Sequence, residues 1–234
     1  MSSKPPSKLD QAMDSLAASV AKRIEDGCLL GLGSGSAVAR FAKSLGARVE
    51  REKIRVSIVP SSMQAWILAK ENGLGLAQDS AHCPSSLDIA VDGADQISLD
   101  SRSMVKGGGG ALLREKIILS SSKLAYILVD NSKVAPRLER SIPVEVVQFA
   151  VESVAEKIKT QDAVPELRKL DKGYPFFTES GNVVLDCKFS KPIKDPVAME
   201  LAIKRIPGVV EAGIFNCRVD KFYVGAQDGS FSSH

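Results

Sequence analysis

The chain has 234 residues, 44% hydrophobic and 25% charged, which is ordinary for a globular protein large enough to bury a core. Thirty-one basic against 28 acidic residues leave a net charge of +3, too near balance to point to nucleic acid, and no dense Lys/Arg block occurs. No apolar run reaches membrane-spanning length, and MSSKPPSKLD lacks both an apolar core and an Arg-rich amphipathic pattern, so a cytoplasmic protein with no membrane partner is expected.

In chain order, Leu9, Met13, Leu16, Val20 and Ile24 recur at helical spacing and predict a helix over 9–26, ended at Gly27. The apolar run 28–32 leads through a Gly/Ser loop into a helix over 37–45. A strand at 56–59 follows, then a Pro60-Ser61-Ser62 cap, a helix over 63–71 and a buried strand at 87–91. A helix at 111–119 and a strand at 124–129 complete a βα rhythm that predicts a Rossmann-like parallel sheet covered on both faces.

Beyond Asp130 the rhythm changes. Strand 144–147, helix 151–158, a weak strand near 163–170, a strong strand at 183–189, helix 197–206 and strand 209–215 give the order βαββαβ of a ferredoxin-like α+β unit. The last apolar run, 222–224, is expected to return to the first sheet. The expected domains are 1–138 plus 216–234, and 139–215.

Four segments carry chemistry. Gly31-Leu32-Gly33-Ser34-Gly35-Ser36 lies between a strand and a helix, where glycines let backbone approach a ligand and free N–H groups meet an anion. A dinucleotide site needs a third glycine where Ser36 stands and an acid after the second strand, where Pro60-Ser61-Ser62 stands. A phosphate loop is the favoured reading, and a plain tight turn the alternative. Asp92-Gly93-Ala94-Asp95 follows the strand at 87–91, at the sheet edge where α/β proteins bind ligands, although Asp in such turns is also a common cap.

Lys106-Gly107-Gly108-Gly109-Gly110-Ala111-Leu112-Leu113-Arg114-Glu115-Lys116 is the most informative segment. Four consecutive glycines cost roughly 0.5–1 kcal/mol each relative to Ala in regular structure. Such a run implies backbone that must approach something, unless it is a flexible surface loop. Lys106 supplies a cation, the run a rank of N–H donors, and Glu115 a carboxylate, although Glu115 taken alone reads rather as a solvated helix face paired with nearby Lys or Arg. Lys133, after the strand at 124–129, stands where it can reach a phosphate or simply meet solvent. The cysteines at 28, 83, 187 and 217 have no metal-ligand or redox spacing and suit a reducing compartment. With His82 and His234 the only histidines, no metal site and no cofactor are expected.

Together GLGSGS at 31–36, DGAD at 92–95, KGGGGALLREK at 106–116 and VDNSK at 129–133 resemble the ribose-5-phosphate isomerase A family. SGNVVLD at 180–186, DPVAMELAI at 195–203 and IPGVVEAGIF at 206–215 extend the similarity along nearly the whole chain. The resemblance implies a metal-independent aldose–ketose isomerase of the non-oxidative pentose phosphate pathway. It would take a small-molecule sugar phosphate and assemble as a homodimer or homotetramer. Carried over by position, Glu115 is the proton acceptor. For the reaction so implied, Lys106 and the glycine N–H groups are candidate catalytic donors to the enediolate oxygen, and Asp92 or Asp95 is the candidate to assist ring opening. The substrate-binding positions are Ser34, Gly35, Ser36, Ala37, Asp92, Gly93, Ala94, Asp95, Lys106, Gly107, Gly108, Gly109 and Lys133.

The chain departs from the family pattern at Ala37, where a hydroxyl is usual, at Gln96, where Glu is usual, and at Met13, where a Lys is usual. The segment between Asp95 and Lys106 is slightly long. Two rivals share fold features: a sugar-phosphate sensor, which would lack the base and carry a DNA-binding segment, and an acyl-CoA transferase-like enzyme using a nucleophilic Glu.

Overall fold

The structure, a computed structural model, describes residues 5–78 and 82–234. The elements follow in chain order. Helix α1 (Lys8–Ala21) opens with a reciprocal cap in which Ser7 and Asp10 satisfy each other's backbone N–H groups. It ends five residues before the predicted stop, because Arg48 draws the carbonyls of Ala21 and Ile24 into a turn. Strand β1 (Cys28–Leu32) leads to α2 (Ser36–Glu52), longer than its pattern implied, with Arg48 paired to Glu52 on its last turns. Strand β2 (Val56–Pro60) and α3 (Met63–Glu71) follow, with the Ser62 hydroxyl accepting from Ala65 N–H as the helix cap.

Short β3 (Gly75–Leu76) precedes β4 (Leu87–Asp92), and the small strands β5 (Gln96–Ile97) and β6 (Met104–Val105) lie between Asp92 and the glycine run. Next come α4 (Leu112–Ser120), β7 (Ser122–Asp130), β8 (Ile142–Val146), α5 (Val151–Lys159), β9 (Ala163–Leu167) and β10 (Val183–Phe189). Helix α6 (Pro196–Lys204) has Asp195 as cap and Pro196 in its first turn. The predicted strand 209–215 divides at Gly213 into β11 (Val209–Ala212) and β12 (Ile214–Phe215). Strands β13 (Lys221–Gly225) and β14 (Phe231–Ser233) close the chain.

These elements form two compact units. The first comprises residues 1–93, 117–133 and 218–234; the second, 94–116 and 134–217. Residues 94–116 thus group with the second unit rather than the first, since β6 pairs on one side with β5 and on the other with β12.

The first unit holds a seven-stranded sheet of order β14-β13-β7-β4-β1-β2-β3. All its pairings are parallel except the terminal β13–β14 hairpin. The return of residues 222–224 to this sheet is seen in the parallel β13–β7 pairing. Its central strands are apolar on both faces, as a covered parallel sheet requires. Register aligns the carboxyl ends: Leu32 of β1 lies level with Pro60 of β2 and Val91 of β4, and Asp92 lies level with Ile127 of β7.

The second unit holds the antiparallel sheet β11-β8-β10-β9, with α5 and α6 as crossovers, which is the ferredoxin-like order. Its core gathers Ile142, Val144, Val154, Ile158, Leu185 and Ile203. Among the described residues no helix is long and apolar enough to cross a membrane.

Candidate active site

In the first unit, three adjacent parallel strands end in three of the expected segments. β1 opens into Gly33-Ser34-Gly35, β4 into Asp92-Gly93, and β7 into the turn Asn131–Lys133. The loop after β1 wraps the Asp92 carboxylate. Asp92 is 2% exposed, and its Oδ1 accepts from Ser34 N–H at 3.2 Å and from Gly93 N–H at 2.7 Å. Gly33 N–H continues the sheet by donating to the Val91 carbonyl. A Cβ on Gly33 would fall on the Asp92 carboxyl group, so only glycine lets the chain pass there.

Helix α2 then starts at Ser36 with Gly35 at its cap position, φ 93°, and no side chain capping its first turn. The N–H groups of a first turn without a capping side chain are anion donors. Gly35 N–H itself donates to Gln64 Oε1 on α3, a participant the sequence pattern did not reveal. Lys133 is half-buried at the end of the turn after β7. Met13 is buried and packs against Gly225 at the end of β13.

In the second unit, the glycine run is built tightly into the fold. Lys106 and Glu115 are 3% and 4% exposed, with Lys106 Nζ 3.2 Å from Glu115 Oε2. Lys106 also lies over the Phe215 ring, 5.7 Å from its centre. Asp95 Oδ2 accepts from Gly108 N–H at 2.8 Å, and a Cβ on Gly108 would come within 2.7 Å of Asp95 Oδ1. A Cβ on Gly110 would strike the Phe176 ring. Close approach therefore accounts for Gly108 and Gly110, which speaks against a loose surface loop there. Ala94 and Asp95 lead into β5, where Asp95 N–H donates to the Val105 carbonyl.

Gln96 is buried, and its amide oxygen accepts from the N–H groups of Glu139 and Arg140. Gln96 therefore serves the backbone, which a neutral amide does without burying a charge.

Lys116, next to Glu115, is held by four acceptors. Its Nζ donates to Glu200 Oε1 (2.6 Å), Glu211 Oε1 (2.8 Å) and the carbonyls of Ala212 and Ile214 (2.8 and 2.9 Å), above the Phe215 ring. This anchors the turn of α4 that carries Glu115. Burial pushes the Glu211 carboxyl up, but Lys116 and Lys204 outweigh it and hold the group below its ordinary 4.5. A depressed carboxyl contributes stability that is complete above the unfolded value and is lost as pH falls through the folded one. Glu211→Gln is accordingly expected to melt below the parent at pH 7, with the gap closing on acidification below about pH 4.5. Thermal melts across that range check it; a gap constant with pH would refute the ion-pair account.

The thiols of Cys28 and Cys187 are pushed by burial to about 11 and about 12, so neither is a nucleophile at neutral pH. Among the described residues no cluster of His, Cys, Asp or Glu is arranged to hold a metal.

The family model for ribose 5-phosphate isomerase A (phosphoriboisomerase A) matches residues 57–229. The chain belongs to this family. The ribose-5-phosphate isomerase A of Methanosarcina acetivorans is 44% identical over 88% of this chain and 87% of its own. That of Oceanobacillus iheyensis is 39% identical over 96% and 97%. Among solved structures, the ribose 5-phosphate isomerase A of Methanocaldococcus jannaschii superposes with a TM-score of 0.88 at 33% identity, covering 97% of this chain and 99% of that one. A D-ribose-5-phosphate isomerase solved with phospho-erythronic acid gives 0.87 at 36%, covering 95% and 97%. Membership of the isomerase family sets aside the sensor and transferase rivals.

Proposed function

We propose that this family member interconverts D-ribose 5-phosphate and D-ribulose 5-phosphate through an enediolate, with Glu115 as the base. The observation that carries the reading is the buried Lys106–Glu115 pair at 3.2 Å, next to a glycine run whose Gly108 N–H donates to Asp95. Glu115 takes the proton from C2 of the open-chain aldose and returns it to C1, while the O2 hydroxyl proton ends on O1. No atom is gained or lost, and no metal or cofactor is consumed. A positioned general base supplies typically 10²–10⁴-fold. Charge that develops on the enediolate oxygen is met by Lys106 and by glycine-run N–H groups, each such donor being worth roughly 3–4 kcal/mol.

Asp92 or Asp95 assists ring opening by exchanging a hydroxyl proton, and both also accept backbone N–H groups. Ser34 and Gly35 in the loop before α2, and Ser36 and Ala37 in its first turn, take the phosphate, with Lys133 as its cation. Ala37 offers a backbone N–H but no hydroxyl. The remote phosphate contributes binding energy that orients the reacting carbons. The enzyme works in the cytoplasm as a homodimer or homotetramer, a setting supported by the family and the dispersed cysteines.

The test is a direct isomerase assay. The purified chain is expected to equilibrate ribose 5-phosphate with ribulose 5-phosphate in chelator-treated buffer and to leave arabinose 5-phosphate unchanged. Failure on the first sugar ends the reading.

A further inference from the structure

Arg168, just beyond β9, lies 60 residues from Gly108 in sequence, outside the four segments that carry the sequence motifs. Its guanidinium is committed on every side. Nε and Nη2 donate in parallel to the two Asp186 oxygens at 2.8 and 2.5 Å. Nη1 donates to the carbonyls of Gly107 and Gly108 at 2.9 and 3.0 Å. The group lies 5.7 Å from the Phe176 ring centre, and Phe176 is the side chain that Gly110 abuts. The backbone is fixed as well: Arg168 N–H donates to the Val184 carbonyl and its own carbonyl accepts from Phe176 N–H.

Two consecutive peptide planes of the glycine run are therefore clamped. In the plane joining 107 to 108, the carbonyl is held by Arg168 and the N–H by Asp95. In the plane joining 108 to 109, the carbonyl is held by Arg168. Among the described residues no peptide bond is cis, so a planar trans unit directs the Gly109 N–H away from the guanidinium. Gly108 and Gly109 are exposed while Gly107 and Gly110 are buried, so this N–H belongs to the reachable part of the run. A cation on the carbonyl also polarises the peptide and strengthens its N–H as a donor.

We infer that Arg168 is a positioning residue for the isomerisation, acting through the Gly107 and Gly108 carbonyls to hold the Gly109 N–H as a donor to the enediolate oxygen. The inference rests on the isomerase reading above. Only a planar fork can serve the carboxylate and both carbonyls at once, so lysine is no substitute.

The experiment compares the parent chain with Arg168→Lys, Arg168→Gln and Asp186→Asn, which leaves the arginine but frees its fork. Measured are kcat and KM on ribose 5-phosphate, the inhibition constant of phospho-erythronic acid, whose carboxylate places anionic oxygen at the end of a phosphorylated chain, and thermal melting. The expected result for Arg168→Lys, assayed well below its melting temperature, is a fall in kcat of about 10²-fold, the scale of one lost oxyanion donor. KM stays near the parent value, and phospho-erythronic acid binds more weakly. Asp186→Asn is expected to fall between parent and Arg168→Lys.

A purely structural arginine would lower the melting temperature and leave kcat and the inhibition constant of the folded protein unchanged. That outcome, or a loss confined to KM, overturns the inference. Should Arg168→Gln not fold, Arg168→Lys and Asp186→Asn decide by the same readouts. An active parent with unaffected variants removes this inference alone, whereas an inert parent removes the isomerase reading and this inference with it.

Discussion

Glu115→Gln is expected to lower kcat on ribose 5-phosphate by about 10²–10⁴-fold, the range that a positioned general base supplies. The amide keeps the size of the side chain and one acceptor oxygen facing Lys106, so KM should change far less than kcat. Stability should fall too, because Glu115 is 4% exposed and its partner Lys106 is 3% exposed. Removing one charge of a buried pair costs up to about 3–5 kcal/mol, and the retained acceptor places this variant toward the lower figure. The two effects separate cleanly if turnover is measured below the melting temperature and the fold is checked by circular dichroism. Isotope exchange gives a second reading: the parent should wash solvent deuterium into the sugar during turnover, and the variant should not. A folded variant turning over at the parent rate would remove Glu115 from its role.

Gly33→Ala should damage the first unit, through space rather than charge. The new methyl group would lie on the Asp92 carboxyl, with Asp92 Cβ itself only 2.7 Å away. Asp92 cannot swing aside easily, because it ends β4 with its carboxylate bonded to two backbone N–H groups. The loop after β1 must therefore move, at about 1–3 kcal/mol for overpacking. Ser34 to Ala37 move with it. Loss of one charge-assisted hydrogen bond to the phosphate, roughly 1.5–3 kcal/mol, corresponds to about tenfold to a hundredfold in KM. Melting curves and steady-state kinetics check both halves. An unaltered KM would mean that this loop does not take the phosphate.

Much of this architecture was legible from pattern. The long strands β1, β4, β7 and β10 are apolar runs bounded by turn residues, and the βαββαβ order of the second half follows from periodicity alone. Strands β3, β5 and β6 escaped because two residues show no period. The end of α1 was misplaced because Ile24 keeps helical spacing while it packs from a turn that Arg48 holds. In the candidate site, glycines and acids announced themselves by local clustering. Gln64, Arg168 and Phe176 did not, since each meets the glycine loops only through folding, from 29 to more than 60 residues away. The grouping of residues 94–116 with the second unit was hidden for the same reason, because β6 finds β12 across more than a hundred positions.

The parallel pairing of β13 with β7 has a bearing on how the polypeptide is made. Strand β7 is finished at Asp130, yet the neighbour that covers its outer side begins only at Lys221. During synthesis, the ninety residues between them, 84 of which (134–217) belong to the separately cored second unit, must leave the ribosome while β7 presents bare N–H and C=O groups, the template on which chains aggregate. Final closure of the larger sheet is thus a late, long-range event, and chaperone dependence of the nascent chain should concentrate in that interval.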